Sequence, residues 1–144
     1  MRGSYFLVLY LPIDSVVRTK SKEFHLSRGY YVYVGSAMNS LEKRVERHFS
    51  KKKKLHWHID YLLEKAIPLR AYLIPSDERL EEELSVEVSK YGEAIDGFGA
   101  SDLKVRSNLY RFENAPDDLL KRILKERKLE YKVISSAGGA GAGI

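Results

Sequence analysis

The amino-acid sequence predicts an α+β domain, a small antiparallel or mixed β-sheet flanked by helices. Three observations carry this expectation. The first 35 residues hold runs rich in β-branched and aromatic side chains, the later stretches alternate amphipathic helical patterns with short strand-like runs, and no regular strand–helix–strand repeat points to a doubly wound sheet. A length of 144 residues with 44% hydrophobic content suffices for one domain with its own core. That domain is expected to cover residues 1–134, followed by a flexible tail over 135–144 made almost entirely of Ser, Ala and Gly.

Residues 5–11 are an almost unbroken apolar and aromatic run, as expected of a strand covered on both faces. The run stops at Pro12-Ile13-Asp14 with no small-residue cleavage site behind it, so it reads as a strand and not as a signal peptide. Residues 16–19 and 23–26 flank the polar Lys20-Ser21-Lys22 as a short hairpin, and 29–35 supply another strand, making the first third an antiparallel meander. A helix follows, with Asn39 and Glu42 in the spacing of a capping box and Met38, Leu41, Val45 and Phe49 at helical intervals, closed by Ser50 and four lysines. Residues 55–66 read as a buried helix ended by Pro68, and 69–74 as a strand. Pro75-Ser76-Asp77 open a helix to Tyr91 with Leu80, Leu84 and Val88 in register and Gly92 as its stop. Residues 103–112 read as a further strand, Asn114 and Pro116 as the cap and start of a last helix through Leu119, Leu120, Ile123 and Leu124, and 131–133 as an edge strand.

Composition narrows the function classes. The absence of cysteine excludes a disulfide framework, a Cys-ligated zinc, an iron–sulfur cluster and a thiol nucleophile, and it is compatible with the expected cytoplasmic location. No segment approaches the ~18 consecutive apolar residues that a membrane span needs. Glutamine is absent while Lys, Glu and Arg are abundant, a profile shared with thermophile proteins.

Charge is unevenly spread. Residues 42–54 hold seven bases (Lys43, Arg44, Arg47, Lys51, Lys52, Lys53, Lys54) against Glu42 and Glu46, a local excess equal to the net +5 of the whole chain. Residues 76–96 hold eight acids against Arg79 and Lys90. Both can be solvated helix faces; alternatively the first neutralises phosphates and the second offers a carboxylate to a divalent cation. At about 100° per residue, Arg44 and His48 share one edge of the apolar stripe while Arg47 points to solvent, towards an outer phosphate backbone. Glu81 and Glu87 border the Leu80/Leu84/Val88 stripe.

Gly3-Ser4-Tyr5 opening the first strand, Tyr33-Val34-Gly35 ending a later one and Arg44 on the next helix resemble the GIY-YIG nuclease superfamily. The segments GYYVYVGSA, LHWHIDYLL and GFGASD are similar to its Uri-type endonuclease branch, and the likeness covers about residues 1–112. The resemblance implies a metal-dependent DNA endonuclease that hydrolyses phosphodiester bonds with one Mg²⁺ or Mn²⁺. Nucleic acid is the implied partner, DNA before RNA. A single small domain implies structure-directed or weakly sequence-specific cleavage. A non-catalytic nucleic-acid-binding module and a protein-interaction domain are the alternatives.

Carried over by position, Tyr5 and Tyr33 are the paired phenols, one positioning or deprotonating the attacking water and the other holding phosphate oxygens. A phenol with an ordinary pKa near 10 needs a cation beside it to act as a base, and Arg44 with the metal is expected to supply it. Arg44 also suits the charge that grows on the phosphate during attack. Glu81 best matches the metal-binding glutamate, with Glu82, Glu83 and Glu87 as competitors, and Asn108 matches the closing asparagine. His48 backs up Arg44 or fills space, and Lys43, Arg47, Lys51, Lys52, Lys53 and Lys54 form the nucleic-acid-binding wall. His56, His58 and Asp60 spell H-x-H-x-D, which leaves open a transition-metal site, a polar contribution to the nuclease site, or an Asp–His structural contact. Asp102 lies in a glycine-rich loop that lacks the Gly-Lys-Ser/Thr ending of a nucleotide cradle. Without the resemblance, both tyrosines read as core aromatics.

Overall fold

The structure, a computed structural model, describes residues 1–99 and 105–135. It is the α+β arrangement that the sequence predicts. In chain order the elements are β1 (Gly3–Leu11), β2 (Ser15–Arg18), β3 (Glu23–Leu26), β4 (Gly29–Ala37), α1 (Leu41–Phe49), α2 (His58–Leu62), β5 (Ile67–Pro75), α3 (Glu81–Ser89), β6 (Glu93–Ala94), β7 (Leu109–Phe112), α4 (Asp117–Glu126) and β8 (Lys132–Ser135). Six strands form one sheet in the order β6-β7-β4-β1-β5-β8, every pairing antiparallel, and β2 with β3 forms a separate two-stranded ribbon.

β1 is central because it is the most continuously apolar segment, and a strand flanked on both edges and covered on both faces needs such a sequence. Its alternating side chains divide the core. Tyr5, Leu7, Leu9 and Leu11 join Leu41 and Val45 of α1 and Ile59 and Leu62 of α2 on one face. Phe6 and Val8 join Leu84 and Val88 of α3 and Leu120, Ile123 and Leu124 of α4 on the other. Burying each such Leu or Val contributes roughly 1.5–3 kcal/mol.

Several local expectations change. The first third is not a simple meander, because β4 pairs directly with β1 and the β2–β3 hairpin stands outside that sheet. The cap of α1 is Ser40, whose Oγ accepts the Lys43 N–H, and Glu42 pairs with the Met1 amine instead of closing a box with Asn39. The helix expected over 55–66 shrinks to α2, because the Asp60 carboxylate accepts the His56 and Trp57 backbone N–H groups and pins those residues ahead of the first turn. Pro75 does not open a helix: it ends β5 opposite Gly3, and the Ser76 N–H donates to the Arg2 carbonyl, so α3 starts only at Glu81. Asn114 does not cap α4, whose N-cap is Pro116. β7 begins at Leu109 and the two-residue β6 had no sequence signal, while residues 103 and 104 of the expected strand lie outside the described residues. Ser135 belongs to β8 through its pairing with Arg70, and the remaining tail residues, 136–144, lie outside the described residues. Among the described residues no helix is long and apolar enough to cross a membrane.

Candidate functional site

The register of β1 and β4 sets Tyr5 opposite Gly35. Gly35 is required there: a Cβ on it would lie 2.4 Å from Cζ and Oη of Tyr5, so only a residue without a side chain lets the phenol lie across β4. Tyr33, two residues earlier on the same face of β4, brings its ring centroid to 6.3 Å from that of Tyr5. From α1, His48 places Nε2 2.6 Å from the Tyr5 hydroxyl, and Arg44 donates from Nη1 to the Ser36 carbonyl at 3.0 Å.

Glu81 enters from the first turn of α3. Its Oε1 accepts from Ser36 Oγ at 2.6 Å and its Oε2 from Asn108 Nδ2 at 2.8 Å. Asn108 also donates to the Gly99 carbonyl at 3.2 Å, and behind it a buried network joins Ser85, Tyr110 and the Ser107 carbonyl. His58 closes the opposite side, its Nδ1 accepting the Gly99 N–H at 2.9 Å. Gly99 adopts φ +71° against the Tyr33 ring, a conformation that favours glycine. Tyr5, Tyr33, Arg44, His48, His58 and Glu81 thus line one cavity of about 390 Å³.

Burial dominates the electrostatics. It pushes the Tyr5 phenol well above its usual range, aided by Tyr33, and although Arg44 pulls the other way it does not win. Tyr33 is likewise raised, by burial first and then by Glu81. The expectation that Arg44 lowers a phenol towards neutrality is therefore corrected: within the protein alone both phenols stay protonated. His48 is pushed down to about 3, chiefly by burial, and is neutral. Its Nδ1 is buried and has no hydrogen-bond partner among the described residues. The tautomer that leaves no buried N–H orphaned carries its proton on Nε2 and donates it to Tyr5, which turns the Tyr5 hydroxyl proton free to point elsewhere. Burial also lowers His58, with the Lys22 charge adding to it, and the Gly99 N–H on Nδ1 leaves its proton for Nε2.

Two of the carboxylate competitors separate from Glu81 by their partners. Arg127 bonds Glu83 and Glu87, and Lys90 also holds Glu87, so these two are engaged on the outer side of α3. Pocket geometry places Glu81 on the cavity with the two phenols.

One sequence expectation fails here, and one open reading closes. Arg47 does not face solvent as part of a phosphate-binding wall: it forms a two-pronged ion pair with Asp60 at 2.7 and 2.9 Å and donates to the Lys54 carbonyl. H-x-H-x-D, for which three readings stand open, gathers no metal-ligand set among the described residues: the fully buried Asp60 side chain spends both oxygens on Arg47 and on backbone N–H groups, so its Asp–His contact is structural and runs through the His56 backbone. Burial opposes the charge on Asp60, but the Arg47 hydrogen bonds, the Trp57 and His56 N–H groups and the Arg47 charge outweigh it and hold the carboxyl below its usual value. His56 is exposed at the cavity mouth. Lys43, Lys51, Lys52 and Lys54 are exposed, whereas Lys53 is half-buried and donates to the Ser50 carbonyl. Asp102 lies outside the described residues.

Four contributors escaped the sequence reading. Ser36 holds both Arg44 and Glu81, and its only signal is its place directly after Tyr33-Val34-Gly35. Ser85 and Tyr110, which steady Asn108, sit on separate elements and have no shared pattern. Trp57 lies under the guanidinium of Arg44, hidden in sequence between the more conspicuous histidines.

Among known proteins, a family model described as a domain of unknown function, DUF123, matches residues 4–129, a span that contains every residue gathered on the cavity. No curated protein and no solved structure matches the chain.

Proposed function

We propose that this chain, which belongs to the DUF123 family, is a metal-dependent DNA endonuclease of the GIY-YIG type that hydrolyses phosphodiester bonds. The observation that carries the reading is convergence: two phenols from neighbouring strands, a guanidinium from α1 and a carboxylate from α3 reach one cavity, with exposed lysines following α1. Chance aromatics in a core have no reason to gather an arginine and a glutamate around them.

In this reading Arg44 binds the scissile phosphate through its in-plane N–H groups and stabilises the charge that develops as the pentavalent state forms. Tyr5, relieved of donating to His48, directs its hydroxyl proton to a phosphate oxygen or the attacking water, and Tyr33 and the His58 Nε2–H hold the other side. The donor set fits Mg²⁺ or Mn²⁺. Among the described residues each Glu81 oxygen accepts one hydrogen bond, which leaves a lone pair on each, and Mg²⁺ commonly takes one or two carboxylates, with water and phosphate oxygens completing its shell. Among the described residues no group of three His, Asp or Glu gathers as a cage. When bound, the cation supplies charge neutralisation and lowers the pKa of the groups it touches, the help that the buried phenols lack.

Cleavage of supercoiled plasmid and of branched DNA with Mg²⁺ or Mn²⁺ tests this. Wild type is expected to cut, and Arg44→Ala and Glu81→Ala to be at least ~100-fold slower, the loss typical of removing one charge-stabilising group. Variants as fast as wild type overturn the site. A wild type that binds DNA in a salt-dependent way without cutting it replaces the enzyme with a binding module.

A further inference from the structure

The H-x-H-x-D segment leaves a metal site, a polar contribution to the cavity and a structural contact open, and the structure spends its aspartate on the structural role. Asp60, buried and four times hydrogen-bonded, fixes the backbone of His56 and Trp57 on one side and the Arg47 guanidinium on the other. Trp57 then lies between the segment and α1, with the guanidinium carbons of Arg44 and Arg47 4.3 and 4.5 Å from its ring centroid. Arg47 and Arg44 are one helical turn apart on α1, so both reach the same ring.

A guanidinium carries all five donors in its plane. Stacking on an aromatic ring therefore occupies its face and leaves its edge free. One edge donor of Arg44 goes to the Ser36 carbonyl, and the Arg44 side chain lines the same cavity as Trp57.

We propose that Trp57, anchored by Asp60 and Arg47, is a positioning residue that holds the Arg44 guanidinium edge-on to the cavity, and that this is the purpose of the H-x-H-x-D segment. The inference rests on the nuclease reading for its catalytic consequence, but its geometric part stands apart. It also excludes a role that a Trp among histidines and lysines invites, a stacking platform for a nucleobase, since two guanidiniums already cover the ring.

The experiment has two arms on the full chain. In the first, Trp57→Ala, Trp57→Phe, Arg44→Ala and the double variant Trp57→Ala with Arg44→Ala are compared in single-turnover plasmid cleavage with Mn²⁺. Trp57→Ala is expected to lower the rate about 10²-fold, the cost of a small misplacement, with DNA affinity in EDTA within about threefold of wild type. Trp57→Phe restores most of the rate, and in the Arg44→Ala background Trp57→Ala removes nothing further. Multiplying losses in the double variant, or wild-type cleavage by Trp57→Ala, overturn the proposal. In the second arm the Arg44 Nε–H resonance, assigned by its loss in Arg44→Lys, is expected to be ring-current shifted upfield and to move downfield in Trp57→Ala. An unshifted resonance in wild type overturns the proposal whether or not the protein cuts DNA. Absence of cleavage by wild type beside a shifted resonance sinks the nuclease reading and leaves the positioning geometry standing.

Discussion

Substituting Asp60 gives the sharpest test of how the site is built. Its Oδ1 accepts one Arg47 N–H, while Oδ2 accepts a second Arg47 N–H and the backbone N–H groups of His56 and Trp57. Asparagine can keep its carbonyl oxygen at the Oδ2 position, preserving three of these bonds while its NH₂ faces an Arg47 donor. That loss of one bond and of the counter-charge amounts to about 2 kcal/mol. Alanine leaves all four donors without this acceptor and the Arg47 guanidinium without its counter-charge, about 4 kcal/mol. With a urea slope of about 2 kcal/mol/M, the unfolding midpoint falls by about 1 M for Asp60→Asn and about 2 M for Asp60→Ala. Equilibrium unfolding followed by far-ultraviolet circular dichroism measures both without depending on Trp57 emission. Adding Arg47→Met to Asp60→Asn is expected to cost little more, since the uncompensated charge leaves with it. Because the folded Asp60 carboxyl is lowered, its contribution is complete above the unfolded value near 3.9 and is lost as pH falls through the folded value. A loss below ~0.5 kcal/mol for Asp60→Ala would refute the clamp, since that is the range of an ordinary surface substitution.

Other expectations are more local. Gly35→Ala places a methyl 2.4 Å from the Tyr5 ring, forcing the phenol aside by about 1 Å; cleavage is expected to fall about 10²-fold, and a wild-type rate contradicts the packing argument. Lys51→Ala with Lys52→Ala and Lys54→Ala is expected to weaken DNA binding and flatten its log–log salt dependence by about 2–3, one counterion per lost phosphate contact, whereas an unchanged slope removes these lysines from the interface. Neutral, buried His48, held near 3, stabilises the fold fully above the unfolded value near 6.5 and less as pH falls towards 3. The difference at pH 5 is about 2 kcal/mol, so His48→Phe is expected to show a visibly shallower loss of thermal stability between pH 7 and 5, and an identical pH profile contradicts a neutral His48.

What sequence could and could not disclose follows from the range of each interaction. β1, β4 and the apolar stripes of α1 and α4 were legible because their hydrophobic periods are written locally. The start of α3 was misread because Pro75 and Ser76 looked like a helix opening until the distant Gly3 and Arg2 claimed them for the sheet. The fate of Arg47 was equally invisible: the helical wheel shows only that it leaves the apolar stripe, and its destination depends on Asp60 thirteen residues later. Helical phase did identify Arg44 and His48 as neighbours on one edge of α1. The choice of Glu81 over Glu83 and Glu87 needed coordinates, because Arg127 and Ser36, which tell them apart, come from elements far apart in sequence.

A crystal structure with Mn²⁺ and a cleavage-resistant phosphorothioate oligonucleotide tests the central assignment most directly. The account predicts an anomalous peak bonded to Glu81 and a phosphate held by Arg44 beside the Tyr5 and Tyr33 hydroxyls. Mn²⁺ bound elsewhere, or an oligonucleotide that rests on the lysines after α1 with the cavity left untouched, contradicts it.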